Sequence, residues 1–223
     1  TAGVMFGKVL IGPVLMDVPG GSPAWDDKTK AQRASKSRSQ EADWEAWAPG
    51  NKLQFVLQTD PPYYFVPTQG KTEGDFRKSI VQTLQITYTD KNDTTKVRKW
   101  LDDQRKKLKM DWVIMVVSVN ITWRSYAYMG GPFTFENGAI NHETGHLFWA
   151  SDEYVESSQV QLGDYVTGYL DGINGNYGAH AKPNGYDPEC LMKETWNSQT
   201  NGKPPMMCPF TRKQLGWSPA EGA

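Results

Sequence analysis

Apolar and polar positions along the first two thirds of the chain follow two rhythms, one of strands and one of helices. Val4 to Met16 is a strand-like apolar run, interrupted by Gly12-Pro13 and closed by the turn cluster Pro19-Gly20-Gly21-Ser22-Pro23. From about Ala24 to Ala48 the chain is polar, and Ala34, Ala42, Trp44 and Trp47 form a sparse stripe. That pattern predicts a long surface helix packed on one face and stopped by Pro49-Gly50. Leu53 to Leu57 predicts a second strand, ended by Pro61-Pro62. Phe76, Ile80, Leu84 and Tyr88 recur at a helical period, although Leu84, Ile86 and Tyr88 also alternate as a short strand would. A further helix is expected from Asp93 to Leu108, with Val97, Trp100, Leu101 and Leu108 turned inward. Its Lys and Arg residues, interrupted by Asp102 and Asp103, read as a solvated face rather than a binding patch. Trp112 to Ile121 is the most apolar β-rich run, expected to be a central buried strand, and Tyr126 to Phe135 is extended around Gly130-Gly131-Pro132. The alternation predicts an α/β layer with mostly parallel pairing. After about residue 150 the texture changes to Gly, Asn, Tyr and Pro. The expectation is a single domain with an ordered subdomain, 1–148, and an irregular one, 149–223.

Composition narrows the function classes. The 223 residues carry 24 basic and 25 acidic side chains, and this balance argues against a nucleic-acid partner. A hydrophobic share of 38% with 12% aromatics suits a soluble domain with a real core. The longest apolar run, Trp112 to Val117, is too short for a membrane span, which needs roughly 20 residues. No basic and then apolar leader opens the sequence, so any secretion signal is expected to have been removed or never to have existed. A monomer satisfies every feature. Only three histidines are present, so their placement matters.

Two of them lie in Asn141-His142-Glu143-Thr144-Gly145-His146. Residues four apart share a helix face, so His142 and His146 can offer imidazoles to one metal ion. Glu143, offset by about 100° around the helix, can reach a water on that metal. Two neutral nitrogens, an open position and a nearby carboxylate suit a catalytic Zn²⁺. Candidates for a third ligand are Asp152, Glu153 and His180. On a straight helix Asp152 would lie about 9 Å beyond His146 along the axis. The helix must therefore break and the chain double back. Asp152 is the preferred ligand, with Glu153 a structural carboxylate and His180 a loop residue.

The string His142-Glu143-x-x-His146-x-x-Trp149-x-x-Asp152 resembles the metzincin zinc-protease signature. Its continuation Asp152-Glu153-Tyr154 is similar to that of immune-inhibitor-A-like bacterial proteases, and an Asp ligand also occurs in snapalysin-like enzymes. Trp149 stands where the family has Gly, at a turn that needs positive φ, which costs a bulky residue about 1–2 kcal/mol. The resemblance implies a twisted, mostly parallel five-stranded sheet with an antiparallel edge strand, a zinc helix and a Met-turn in the lower subdomain. It implies a zinc endopeptidase acting on protein or peptide substrates, with Glu143 as general base and His142, His146 and Asp152 as ligands. Met192 in Cys190-Leu191-Met192 is the expected Met-turn residue. Relatives often carry a Tyr two positions later; Glu194 stands there, leaving Tyr128 and Tyr154 as substitutes. Tyr126, Ala127, Tyr128 and Gly130 match the substrate-binding edge strand.

Cys190 and Cys208 are the only cysteines. They read either as two buried thiols or as a disulfide; the bond is expected, because it would clamp an irregular stretch and contribute roughly 3 kcal/mol, and it would place the protein in an extracellular, oxidising compartment. Thr211 to Gln214 reads as a capping box opening a short helix that ends at Gly216, with Trp217 as its anchor. The resemblance implies a similar C-terminal helix. Asp164, Asp171, Asn174 and Asn176 could supply oxygens to Ca²⁺, though ordinary turn chemistry explains them as well. A different class of function is a non-catalytic zinc-stabilised module binding protein or carbohydrate through its Trp and Tyr residues. A structural zinc site is closed by four protein ligands, so chelation should unfold such a module but mainly inactivate an enzyme. A third reading is a zinc hydrolase acting on a non-peptide bond.

Overall fold

A computed structural model describes residues 5–22, 24–136, 140–153, 166–167, 172–173, 190–192 and 207–217. A mostly parallel six-stranded sheet organises them. It contains β1 (Gly7–Asp17), β2 (Leu53–Leu57), β3 (Tyr64–Pro67), β4 (Trp112–Val119), β5 (Tyr126–Ala127) and β6 (Phe133–Glu136). The order is β2-β1-β4-β6-β5, with β3 also on β1, and β5 is the antiparallel edge. The expected α/β layering and parallel pairing are present, with one more strand than expected.

The extra strand explains the interruption in β1. Gly7–Ile11 pairs with β2 and Val14–Asp17 pairs with β3 along the same side. The carbonyls of Ile11 and Asp17 accept from Gln58 and Thr68 on that side, so odd-numbered residues point their backbone there. Pro13 falls at the junction between β2 and β3, where the N–H it lacks has no strand to meet.

Side chains of β1 alternate between two cores. Val9 and Ile11 pack with β2, with α1 (Asp27–Trp47) and with Trp217, beyond the helix α5 (Pro209–Gln214). Val14 and Met16 pack with α2 (Glu73–Thr83) and α3 (Asp93–Leu108) on the other face. The α1 stripe differs from the expected one. Ala34, Ser37, Glu41, Trp44 and Ala48 are buried, whereas Ala42 is exposed. Two polar members of that face have partners: Ser37 donates to the Arg33 carbonyl, and Glu41 Oε1 accepts from Thr144 at 2.6 Å.

Helix α2 ends five residues earlier than the expected Tyr88. Gln85 takes a left-handed φ of 51°, its N–H returns to the Gln82 carbonyl, and that of Ile86 returns to Val81. This paired closure is a Schellman motif, and it stops the helix whatever the side-chain period. α3 has the expected bounds, closed in the same way at Lys109, but Leu108 is exposed rather than inward. Its basic face is neutralised locally, as Arg105 and Lys106 both pair with Asp102. Tyr126 to Phe135 is two antiparallel strands rather than one segment, folded back through Gly130 and Gly131, both at positive φ. No helix among the described residues is long and apolar enough to cross a membrane.

At the C-terminal end, α5 starts at Pro209 with Cys208 as its N-cap, so Thr211 and Gln214 lie inside the helix instead of capping it. Gly216 ends the helix as expected. Trp217 is fully buried and donates its indole N–H to the Met5 carbonyl.

Candidate metal centre

The His-Glu-x-x-His string forms a helix, α4 (Ile140–Leu147), in which His142, Glu143 and His146 are all buried. α4 lies against α1 through two polar ties, Thr144 to Glu41 and Asn141 to Asp43. The edge of the sheet is tied to it as well, since the Gly130 N–H donates to the His146 carbonyl at 2.9 Å.

The helix breaks between His146 and Asp152. Ala150 N–H returns to the Gly145 carbonyl and Trp149 N–H to that of His146, again the paired bonds of a Schellman motif. Trp149 occupies its left-handed position, with φ 71°. The bulky residue thus adopts the conformation normally given to Gly. Its ring lies over Gly130, where a Cβ would come within 2.5 Å of the indole. Gly130→Ala should therefore destabilise the fold by about 2–3 kcal/mol, and combining it with Trp149→Gly should recover about 1 kcal/mol of that loss. Urea unfolding of the four proteins of this cycle measures the coupling, and simple additivity would contradict the contact.

After the turn, Asp152 faces both histidines. Its Oδ1 is 2.9 Å from His142 Nε2 and 3.1 Å from His146 Nε2. The other ring nitrogens are held by backbone. His142 Nδ1 lies 2.9 Å from the Leu191 carbonyl and His146 Nδ1 lies 2.7 Å from that of Ala150. Carbonyls only accept, so both Nδ1 atoms donate, and in neutral imidazoles both Nε2 lone pairs then point at a carboxylate oxygen. Three donor atoms converging within 4.8 Å in a buried site could hold a metal ion. Carbonyl-oriented imidazoles beside a carboxylate are also how proteins arrange ligands for Zn²⁺. His142, His146 and Asp152 therefore fit a metal ion, and they form one of two such groups among the described residues.

Burial alone would raise the Asp152 carboxyl, but its contacts with His142 and His146 outweigh this and hold it well below the usual carboxylate range. Glu143 behaves oppositely. Burial pushes its carboxyl up to about 7; His142 opposes this and Asp152 adds to it. A folded-state value above the unfolded one means stability is lost as pH rises from about 4.5 through 7. In metal-free protein, Glu143→Gln should consequently be more stable than wild type above pH 7, by roughly 3 kcal/mol, and should match it below pH 4.5. Urea midpoints at the two pH extremes decide this; a less stable variant at high pH would contradict it.

Met192 lies beneath the helix. A Cβ on Gly145 would come within 2.7 Å of the Met192 sulfur, so glycine at this position lets the sulfur approach the helix backbone. Glu153 N–H donates to the Met192 carbonyl at 2.8 Å, joining the segment after Asp152 to the turn at Leu191 and Met192.

Two expectations are corrected. Cys190 and Cys208 are free buried thiols, not a disulfide. Cys208 Sγ is directed instead to Glu153 Oε1 at 2.9 Å and caps α5 by accepting from the Thr211 N–H. The pair therefore supplies no argument for an oxidising compartment. Tyr128 is not poised to act at the metal: its hydroxyl donates to Glu73 and accepts from Arg77, and its ring packs on the α2–α3 face of the sheet. Tyr126 packs on that same face, while Ala127 packs toward the core that contains the end of α4. Tyr154, Asp164, Asp171, Asn174, Asn176, His180 and Glu194 lie outside the described residues, and with them the Ca²⁺ cluster.

Sequence reasoning did not find the Leu191 and Ala150 carbonyls, because backbone acceptors leave no residue-type signal. Gly145, within the motif itself, was a visible sign of a close approach. Compared with protein-family models, with curated proteins and with solved structures, the chain matches none.

Proposed function

We propose that the chain is a zinc-dependent endopeptidase of the metzincin type, hydrolysing peptide bonds in protein substrates. The observation that carries this reading is the convergence of His142 Nε2, His146 Nε2 and Asp152 Oδ1, with both Nδ1 atoms held by carbonyls and Glu143 adjacent on the same helix. Three protein donors leave a tetrahedral ion one open position, the arrangement of a catalytic site. Zinc, when bound, supplies a lowered pKa for a water and positive charge for a scissile carbonyl.

The remaining work falls to the chain. Glu143 accepts the proton of the attacking water and returns it to the leaving amine, and a carboxyl poised near 7 can do both at neutral pH. The Leu191 and Ala150 carbonyls fix the imidazoles, so the ligand geometry costs little reorganisation. Strand β5, the end of the sheet order, offers backbone groups for an extended peptide to add as a further strand. Ala127 of that strand and Gly130, beyond its end, face α4, and Tyr126 and Tyr128 pack on the other face. The Met192 seat and the tie from Gly130 to His146 hold the strand and helix in fixed relation.

A non-catalytic module is the competing reading, and His146→Ala separates the two. The variant should retain its far-ultraviolet circular dichroism and lose hydrolysis of an internally quenched peptide. Unfolding of the variant, with no hydrolysis by fully metallated wild type, would favour a structural zinc site instead.

A further inference from the structure

A second set of ligating atoms gathers on the far side of the Met192 turn. Glu153 follows Asp152, Cys190 opens that turn, and Cys208 caps α5. One oxygen of Glu153 and the two sulfurs all lie within 4.8 Å of one another. The three residues come from separate stretches of chain and are buried to 2% exposure or less. Thr211, also fully buried, closes the group: its hydroxyl lies 2.9 Å from Glu153 Oε1 and 3.4 Å from each sulfur.

We propose that Glu153, Cys190 and Cys208 bind a structural Zn²⁺, distinct from the ion at the histidines, with Thr211 Oγ1 placed to complete a four-coordinate shell. The donor chemistry selects the ion. Thiolate with carboxylate is a borderline-soft set that suits Zn²⁺ and excludes Ca²⁺ and Mg²⁺, which take oxygen ligands. Both sulfurs accept backbone N–H groups, Cys190 from Cys208 at 3.5 Å and Cys208 from Thr211 at 3.4 Å. Donors aimed at sulfur stabilise thiolates and are the outer-sphere support expected around a metal. Binding displaces one proton from each thiol, and two thiolates plus one carboxylate leave the loaded shell at a net charge of −1, as in Cys₃His sites. The ion would supply the clamp that a disulfide does not. It would join the Asp152 segment, the Met192 turn and α5, elements with few residues of regular structure of their own.

Zinc and cobalt stoichiometry of the full chain tests this independently of any hydrolysis. Wild type should bind two equivalents, and His142→Ala/His146→Ala should bind one. The Co²⁺ form of that double variant should show sulfur-to-cobalt charge-transfer absorption in the near ultraviolet, which adding Cys190→Ser should abolish. Should the triple variant fail to fold, a thiol-specific mercurial added to the folded double variant should release its one zinc as both thiols react. The proposal is overturned if the double variant binds no metal, if its cobalt spectrum lacks the sulfur band, or if an intact mass without reductant is two hydrogens low. Failure of the peptidase reading alone would leave the second equivalent and its spectrum in place.

Discussion

Glu143→Gln should lower kcat/KM on a peptide substrate by about 10²–10⁴-fold while leaving the zinc content of the protein unchanged. Glutamine keeps the volume and one acceptor oxygen of glutamate but cannot take a proton. The loss should fall on kcat rather than KM, because the proton moves only in the transition state. The variant must stay folded for the comparison to mean anything, and the structure indicates that it will. Glu143 is almost wholly buried, its carboxyl lies near 7, and its charge is a burden on the fold above that pH. Steady-state kinetics beside metal analysis gives the answer. Activity within a few-fold of wild type would remove Glu143 from the mechanism.

Asp152→Ala should weaken zinc binding at the histidine site by more than the roughly 10–100-fold that loss of an outer-sphere partner typically costs. The carboxylate contacts both Nε2 atoms, so its removal takes away a ligand and the negative charge facing the ion. Asp152→Asn is the sharper variant, because it keeps shape and packing while deleting charge. Competition against a chromophoric chelator measures the affinity. Parallel measurement of His180→Ala tests the other ligand considered from sequence. Zinc loss in His180→Ala with retention in Asp152→Ala would replace the ligand set.

The local parts of this site were legible in the sequence because they depend on helix period alone. His142 and His146 share a face by spacing, and Glu143 follows. The return of Asp152 was inferred from reach, but its cause was hidden: the left-handed position of the turn is filled by Trp149, where residue statistics favour Gly. Among the described residues four helices end in this paired closure, and of these only α5 has Gly in the left-handed position. The same mismatch ends α2 at Thr83, short of the Tyr88 that its side-chain period suggests, because Gln85 fills the left-handed position. Strand β3 was missed because Pro61-Pro62 reads as a terminator, and the run behind it is only four residues. The buried face of α1 was obscured because Ser37 and Glu41 belong to it: the Ser37 hydroxyl turns back to the Arg33 carbonyl of its own helix, and Glu41 Oε1 meets Thr144, a partner that only the fold brings near. The cysteine pair shows the limit most clearly. Proximity of Cys190 and Cys208 was expected, and it is present, but spacing carries no information on whether two sulfurs bond to each other or to something else. Thr211 resembled a cap because of Gln214 three residues on, whereas its hydroxyl turns inward to Glu153.

The central claim is cleavage of peptide bonds at this metal. The most direct measurement is incubation of the zinc-loaded chain with an unfolded protein, followed by sequencing of the products. New amino termini should arise inside the substrate with wild type and be absent with Glu143→Gln at equal zinc content. A fully metallated wild type that generates no new amino termini, or a Glu143→Gln variant that generates the same ones at a similar rate, would contradict the account.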